Sequence, residues 1–152
     1  MKRLLLLSMT ISLTSALLAQ QASTAAIKKT INNMMDAMLK GDSTLLRSVL
    51  AKDMQVQSVE DDKSRKVQIS TTSAGELITA IGTPHTDAYD EHIVFDDIKI
   101  DGPLASVRTS YTFFLGTTFS HCGVNFFQLI QTEDGWKTIY IAYTVRKDNC
   151  TP

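Results

Sequence analysis

Residues 124–145 read VNFFQLIQTEDGWKTIYIAYTV, two apolar runs of strand length on either side of Asp134-Gly135, the preferred two-residue hairpin turn. Counting outward from Glu133 opposite Trp136, Asn125 faces Thr144, Phe127 faces Ala142 and Leu129 faces Tyr140. Val124, Phe126 and Ile130 then stand with Val145, Tyr143 and Ile139 on the other side. Both faces of the hairpin are largely apolar, unlike a sheet with one wet side. Each needs a cover: helices can supply one, and a second subunit the other.

The strands before the hairpin extend the same sheet. Leu104 to Leu115 is a long strand, preceded by the turn Asp101-Gly102-Pro103. Ile93 and Phe95 alternate in one phase and Ile98 and Ile100 in the opposite one, so the extra residue at Asp96-Asp97 predicts a bulge. Further upstream the period changes. From Ala26 to Leu39, Ile27, Ile31, Met34, Met35, Met38 and Leu39 form one helical stripe, which reads as core rather than as an adaptable ligand wall. Gly41 ends that helix, and Asp42 or Ser43 caps a shorter one with Leu46, Val49 and Leu50 inward. Met54 to Val59 and the region of Val67 and Ile69 read as short strands around the charged turn Glu60 to Lys66. Ser73 with Glu76 is a capping box opening a third helix that buries Leu77, Ile78 and Ile81 and closes at Gly82 and Pro84.

With 152 residues, 43% hydrophobic and 20% charged, the chain supports one hydrophobic core and not two. Fifteen Lys and Arg against sixteen Asp and Glu give a net charge of −1, which excludes a global basic field for nucleic acid. Lys2 and Arg3 followed by the apolar run Leu4 to Leu18 have the layout of a secretory signal peptide, residues 1–19, too short for a stable membrane anchor. Ala16 and Ala22 are alternative cleavage points to Ala19. The expectation is a periplasmic or secreted, mildly acidic domain over residues 24–150, with no membrane insertion once the leader is gone. In an oxidising compartment the two cysteines, Cys122 and Cys150, are expected to pair.

The element order, together with Ile100-Asp101-Gly102-Pro103-Leu104-Ala105, Tyr111, Phe113, His121-Cys122-Gly123, Phe127-Gln128-Leu129, Gly135-Trp136-Lys137 and Thr144-Val145-Arg146, resembles the nuclear transport factor 2-like superfamily from about Ile27 to Arg146. The likeness is greatest to its exported bacterial branch, known as SnoaL-like or putative lumazine-binding. The resemblance implies an α+β cone, a curved antiparallel sheet with three helices of the N-terminal half packed on its concave face. The superfamily holds both enzymes and binding domains, so fold alone does not set the chemistry. No catalytic motif of its ketosteroid isomerase or scytalone dehydratase branches matches here, which leans away from an enzyme.

Candidate site residues are therefore chosen by chemistry. Tyr111, Asn125 and Tyr140 sit mid-strand among apolar neighbours, where a polar group needs a partner. Phe127 and His121 join them as pocket candidates for a small planar or apolar ligand, with no cofactor called for. Trp136 reads as a structural plug, and Arg108 either meets an anion or points outward. Asp90-Glu91-His92 reads as a solvated strand entrance. His85, His92 and His121 lack the spacing of a zinc triad, so no metal is expected. The alternative function is acid–base catalysis by a buried pair such as Tyr111 with His121 or an Asp. A homodimer through the outer sheet face is expected to centre on Phe126, Ile130, Ile139, Ile141 and Tyr143.

Overall fold

The computed structural model describes the backbone of residues 2–61 and 66–150 and the side chains of residues 20–60 and 66–150. Three helices, α1 (Lys2–Lys40), α2 (Ser43–Val49) and α3 (Ala74–Gly82), accompany six strands. The strands are β1 (Leu50–Asp61), β2 (Val67–Ser73), β3 (Tyr89–Asp101), β4 (Leu104–Leu115), β5 (Thr118–Thr132) and β6 (Gly135–Thr144). They form one curved, unclosed sheet in the order β2-β1-β6-β5-β4-β3. This is the expected α+β architecture with one correction. The sheet is mixed, because β1 runs parallel to β6, Val56 beside Ile141 and Ser58 beside Tyr143. Local turn signals report only neighbours in sequence, and β1 and β6 lie at opposite ends of the chain.

Local chemistry sets the helix ends. The Asp42 carboxylate accepts from the amides of Thr44 and Leu45 at 3.0 and 2.9 Å, and Gly41 supplies the left-handed turn before it, with φ at +64°. At α3, Ser73 Oγ accepts from the Glu76 amide while Glu76 Oε2 accepts from the Ser73 amide, completing the expected box. Among the described side chains of α1 the first buried one is Ile27, and Ile31, Met34, Met35 and Ala37 continue its stripe against Leu46, Val49, Ile78 and Ile81. These side chains meet Val107, Phe127, Leu129, Trp136 and Ile141 from the sheet. Trp136 is buried, and its carbonyl accepts from Thr30 Oγ1 of α1, in keeping with a plug role. The bulge predicted in β3 lies between Phe95 and Asp97.

The β5–β6 register differs from the count outward from the turn. Thr132 pairs with Gly135, so the turn residues are Glu133 and Asp134, and an extra residue at Ile139 shifts the ladder between Leu129–Thr138 and Gln128–Tyr140. Beyond that bulge Phe127 pairs with Ile141 and Asn125 with Tyr143. A one-residue slip reverses every side chain past it. Ile141 and Tyr143, expected outside, therefore face inward, and Tyr140, expected inside, faces outward with its hydroxyl donating to Gln57 Oε1. The dimer centre expected on Ile141 and Tyr143 is corrected accordingly: Ile141 is core and Tyr143 lines the interior.

The same slip places Cys122 opposite Arg146, one residue short of the expected Lys147. Cys122 and Cys150 are joined in a disulfide, with their Cα atoms 5.7 Å apart, which ties the C-terminal tail to β5.

Candidate functional site

Between the helices and the concave sheet lies a cavity of about 230 Å³. Met34, Met35 and Met38 of α1 and Leu77, Ala80 and Ile81 of α3 form its helical wall. The sheet supplies the rest: Tyr89 and Glu91 from β3, Tyr111 and Phe113 from β4, His121, Asn125 and Phe127 from β5, Ile141 and Tyr143 from β6, and Val56 from β1. Alternation explains this set. In β4 Tyr111 and Phe113 share one face, and in β5 His121, Asn125 and Phe127 do so.

The polar centre is Glu91 with Asn125. Asn125 Nδ2 donates to Glu91 Oε1 at 2.8 Å and to Thr109 Oγ1 at 3.3 Å, bridging three strands. Burial pushes the Glu91 carboxyl up to about 7, against the opposing pull of the Asn125 amide. Glu91 thus holds its proton to a higher pH than a solvated carboxyl does. Its neighbours in sequence turn the other way: His92 Nε2 and Asp90 Oδ2 form an exposed pair at 3.0 Å. The reading of Asp90-Glu91-His92 as a solvated cluster is correct for the outer two residues and wrong for Glu91. A signal was available, since Glu91 stands in phase with Ile93 and Phe95, an acid on an otherwise apolar stripe.

Four of the five pocket candidates, Tyr111, His121, Asn125 and Phe127, line this cavity, and Tyr140 does not. Tyr140 instead borders a shallow outer-face hollow with Arg108 and Phe126. Arg108 pairs there with Asp96, which also accepts from Ser110 Oγ at 2.8 Å.

Tyr111 donates its hydroxyl proton to the Thr144 carbonyl at 2.8 Å, and burial raises its pKa, helped by the charge of Glu91. Gly123 makes this reach possible. A Cβ there would fall 1.9 Å from the Thr144 carbonyl oxygen and 2.7 Å from Tyr111 Cε1. The phenol is thereby committed to holding the strands and is not a free acid. His121 Nδ1 lies 3.0 Å from Ser120 Oγ, and burial lowers its pKa, favouring the neutral ring. Among the described residues no Asp lines the cavity, and the carboxylic acid that does is Glu91.

The aromatic rings form an arc. Tyr89 and Phe113 have centroids 6.1 Å apart, Phe113 and His121 4.9 Å, His121 and Tyr111 5.7 Å, and Tyr111 and Tyr143 6.4 Å. His85 stacks on Tyr89 at 4.2 Å. Rings on the sheet side and flexible thioethers on the helix side bound a space smaller than the roughly 300–1,000 Å³ common for drug-sized ligands. Among the described residues, no group of three His, Cys, Asp or Glu side chains is placed to hold a metal ion.

A family model described as Putative lumazine-binding matches residues 22–144. No curated protein matches the chain. Among solved structures, a nuclear transport factor 2-like protein with a cystatin-like fold from Novosphingobium aromaticivorans superposes with a TM-score of 0.68 at 14% identity, covering 89% of this chain and 89% of that one. A conserved protein from Planctomyces limnophilus gives 0.66 at 18% identity, over 83% and 98%. A nuclear transport factor 2-like protein of unknown function from Shewanella baltica gives 0.63 at 19% identity, over 82% and 94%. At these identities the likeness is one of fold.

Proposed function

This chain belongs to the Putative lumazine-binding family, of nuclear transport factor 2-like fold, and we propose that it is an exported, non-catalytic domain whose cone holds one small planar or apolar molecule. The observation that carries this reading is the cavity itself: methionines and rings around a single hydrogen-bonded Glu91–Asn125 pair. Few polar groups on an apolar wall is the usual constitution of a small-molecule site. Export is supported by the leader-like residues 1–19. The test is native mass spectrometry of the protein purified from its own cell envelope. A retained mass, lost when Met38→Trp fills the cavity, is the expected result; a bare protein that also binds no flat ring from a fragment panel counts against it.

A second reading, proton-transfer catalysis, draws on one specific observation: the Glu91 carboxyl stands at about 7, near the pH at which a general base works best. A bound molecule that acquires carbon-bound deuterium in heavy water with the wild type, and not with Glu91→Gln, would favour it over simple binding.

For assembly we propose that a second copy covers the outer sheet face, where Phe126 and Val94 are exposed in the single chain.

A further inference from the structure

At the polar centre the donors are spent on the protein, and the acceptors are not. Both Asn125 amide protons go to Glu91 and Thr109, and the Tyr111 hydroxyl donates to Thr144. What the polar centre offers a guest is the Glu91 carboxyl and the Asn125 carbonyl oxygen. Among the described residues no Lys or Arg lines the space, and Glu91 enters no ion pair. From the helix side, Lys28 of α1 lies over the Phe95 ring at 5.1 Å, four residues along β3 from Glu91. Across the sheet the titratable groups facing Glu91 are Tyr111, Tyr143 and His121; Glu60, Arg146 and Lys147 act on those groups.

A carboxylate in an apolar cavity with no protein cation, bordered by an arc of aromatic rings, is the arrangement that favours a guest cation. We propose that the molecule held in the cavity is a small organic cation, an amidinium or ammonium group carried on a flat ring. Its charged head meets Glu91 and Asn125, and its ring lies between Met34 and Met38 on one side and Phe113 and Tyr111 on the other. An anion would meet two oxygen acceptors and no positive side chain. A neutral ring would leave the carboxyl to bind a proton instead.

This inference rests on the reading of the cavity as a small-molecule site, and the experiment separates the two. Benzamidine, benzamide and benzoate share one ring and differ in head-group charge; each is titrated calorimetrically into the wild-type protein at pH 8 and pH 6. Benzamidine is expected to bind at least about tenfold more tightly than benzamide at pH 8, with benzoate not binding. Its affinity is expected to fall about tenfold at pH 6, because the carboxyl, with its pKa near 7, must then give up a proton to receive the cation. That step should vanish in Glu91→Gln and persist in His121→Gln; the reverse assigns it to the imidazole and overturns the proposal. Equal binding of benzamide and benzamidine overturns the cation and leaves the small-molecule reading intact. No binding by any of the three overturns both. The wild-type pH step stands as a test even if Glu91→Gln does not fold.

Discussion

Phe126 and Phe127 are adjacent on β5, yet the first is 51% exposed and the second 1%. The same split runs through β6, where Ile141 is core and Tyr140 borders the outer hollow. Hydrophobicity does not distinguish these neighbours; alternation along each strand does, and in β6 the Ile139 bulge sets its phase. The inner face has a helical lid and a cavity, while the outer face carries hydrogen-bonded polar groups such as Arg108–Asp96 and Tyr140–Gln57 between exposed apolar side chains. The sharpest way to break this comparison is a charge on each face. Leu129→Lys should cost about 4 kcal/mol or more, because Leu129 is fully buried in the core and does not line the Glu91 cavity, so the ammonium is enclosed with no counter-charge. Thermal unfolding followed by circular dichroism should find that variant unfolded or nearly so. A native-like melt would mean that the inner and outer assignments are reversed.

The disulfide tests a different part of the same contrast. Cys122 alternates with cavity-lining His121, so its bond to Cys150 anchors the tail on the outer side of the sheet. With the two cysteines 28 positions apart, the chain-entropy model assigns the link about 3–4 kcal/mol. Cys150→Ser should lower the urea midpoint accordingly without changing the far-ultraviolet spectrum. Two reactive thiols in the folded, unreduced wild type would contradict the bridge.

Glu91 sharpens the comparison from within the inner face, as the polar group its apolar surroundings penalise. Its carboxyl titrates near 7 when folded and near 4.5 when free, so the folded state holds the proton more tightly. The stability this contributes is fully present below about pH 4.5 and is lost as the pH rises through 7, about 3 kcal/mol in all. Glu91→Gln removes that slope. The variant should match the wild type in urea denaturation near pH 4.5 and exceed it by up to that amount at pH 8. A wild-type advantage at pH 8 would mean that the carboxylate is already compensated in the folded state.

Much of this fold is legible in the sequence. The helix stripes, the Ser73–Glu76 box, the Asp96–Asp97 bulge and the apolar strands are local patterns, and they appear where the residues place them. Three things were not legible for stated reasons. The β1–β6 pairing joins segments more than 80 residues apart, with no turn between them to announce it. The hairpin register depended on a bulge whose extra residue, Ile139, is as β-prone as its neighbours and leaves no compositional mark. Glu91 was misread because a charged triplet at a strand start is ordinarily solvated, although its phase with Ile93 and Phe95 pointed inward. The register error displaced Tyr140 from the candidate site and kept Tyr143 out of it, whereas the choice of Tyr111, His121, Asn125 and Phe127 did not depend on β6.

The smallest expected effect on stability, and the one that decides assembly, is Phe126→Lys. This side chain is half exposed in the single chain and lies opposite Arg108 in the β4–β5 ladder and opposite Ala142 across β6, so a lysine there reaches water without burying charge. The melting free energy of the isolated chain should change by no more than about 0.5 kcal/mol. If a second copy covers this face, two-fold symmetry brings both lysines and both Arg108 side chains toward one interface, and the like charges oppose association. Sedimentation velocity at micromolar concentration should then resolve a dimer for the wild type and a folded monomer for the variant. A wild-type protein that sediments as a monomer rejects the dimer outright. The polar pairs of Tyr140 with Gln57 and Arg108 with Asp96 would then be what lets the outer face meet water, while Phe127, one residue away, remains enclosed beside the cavity.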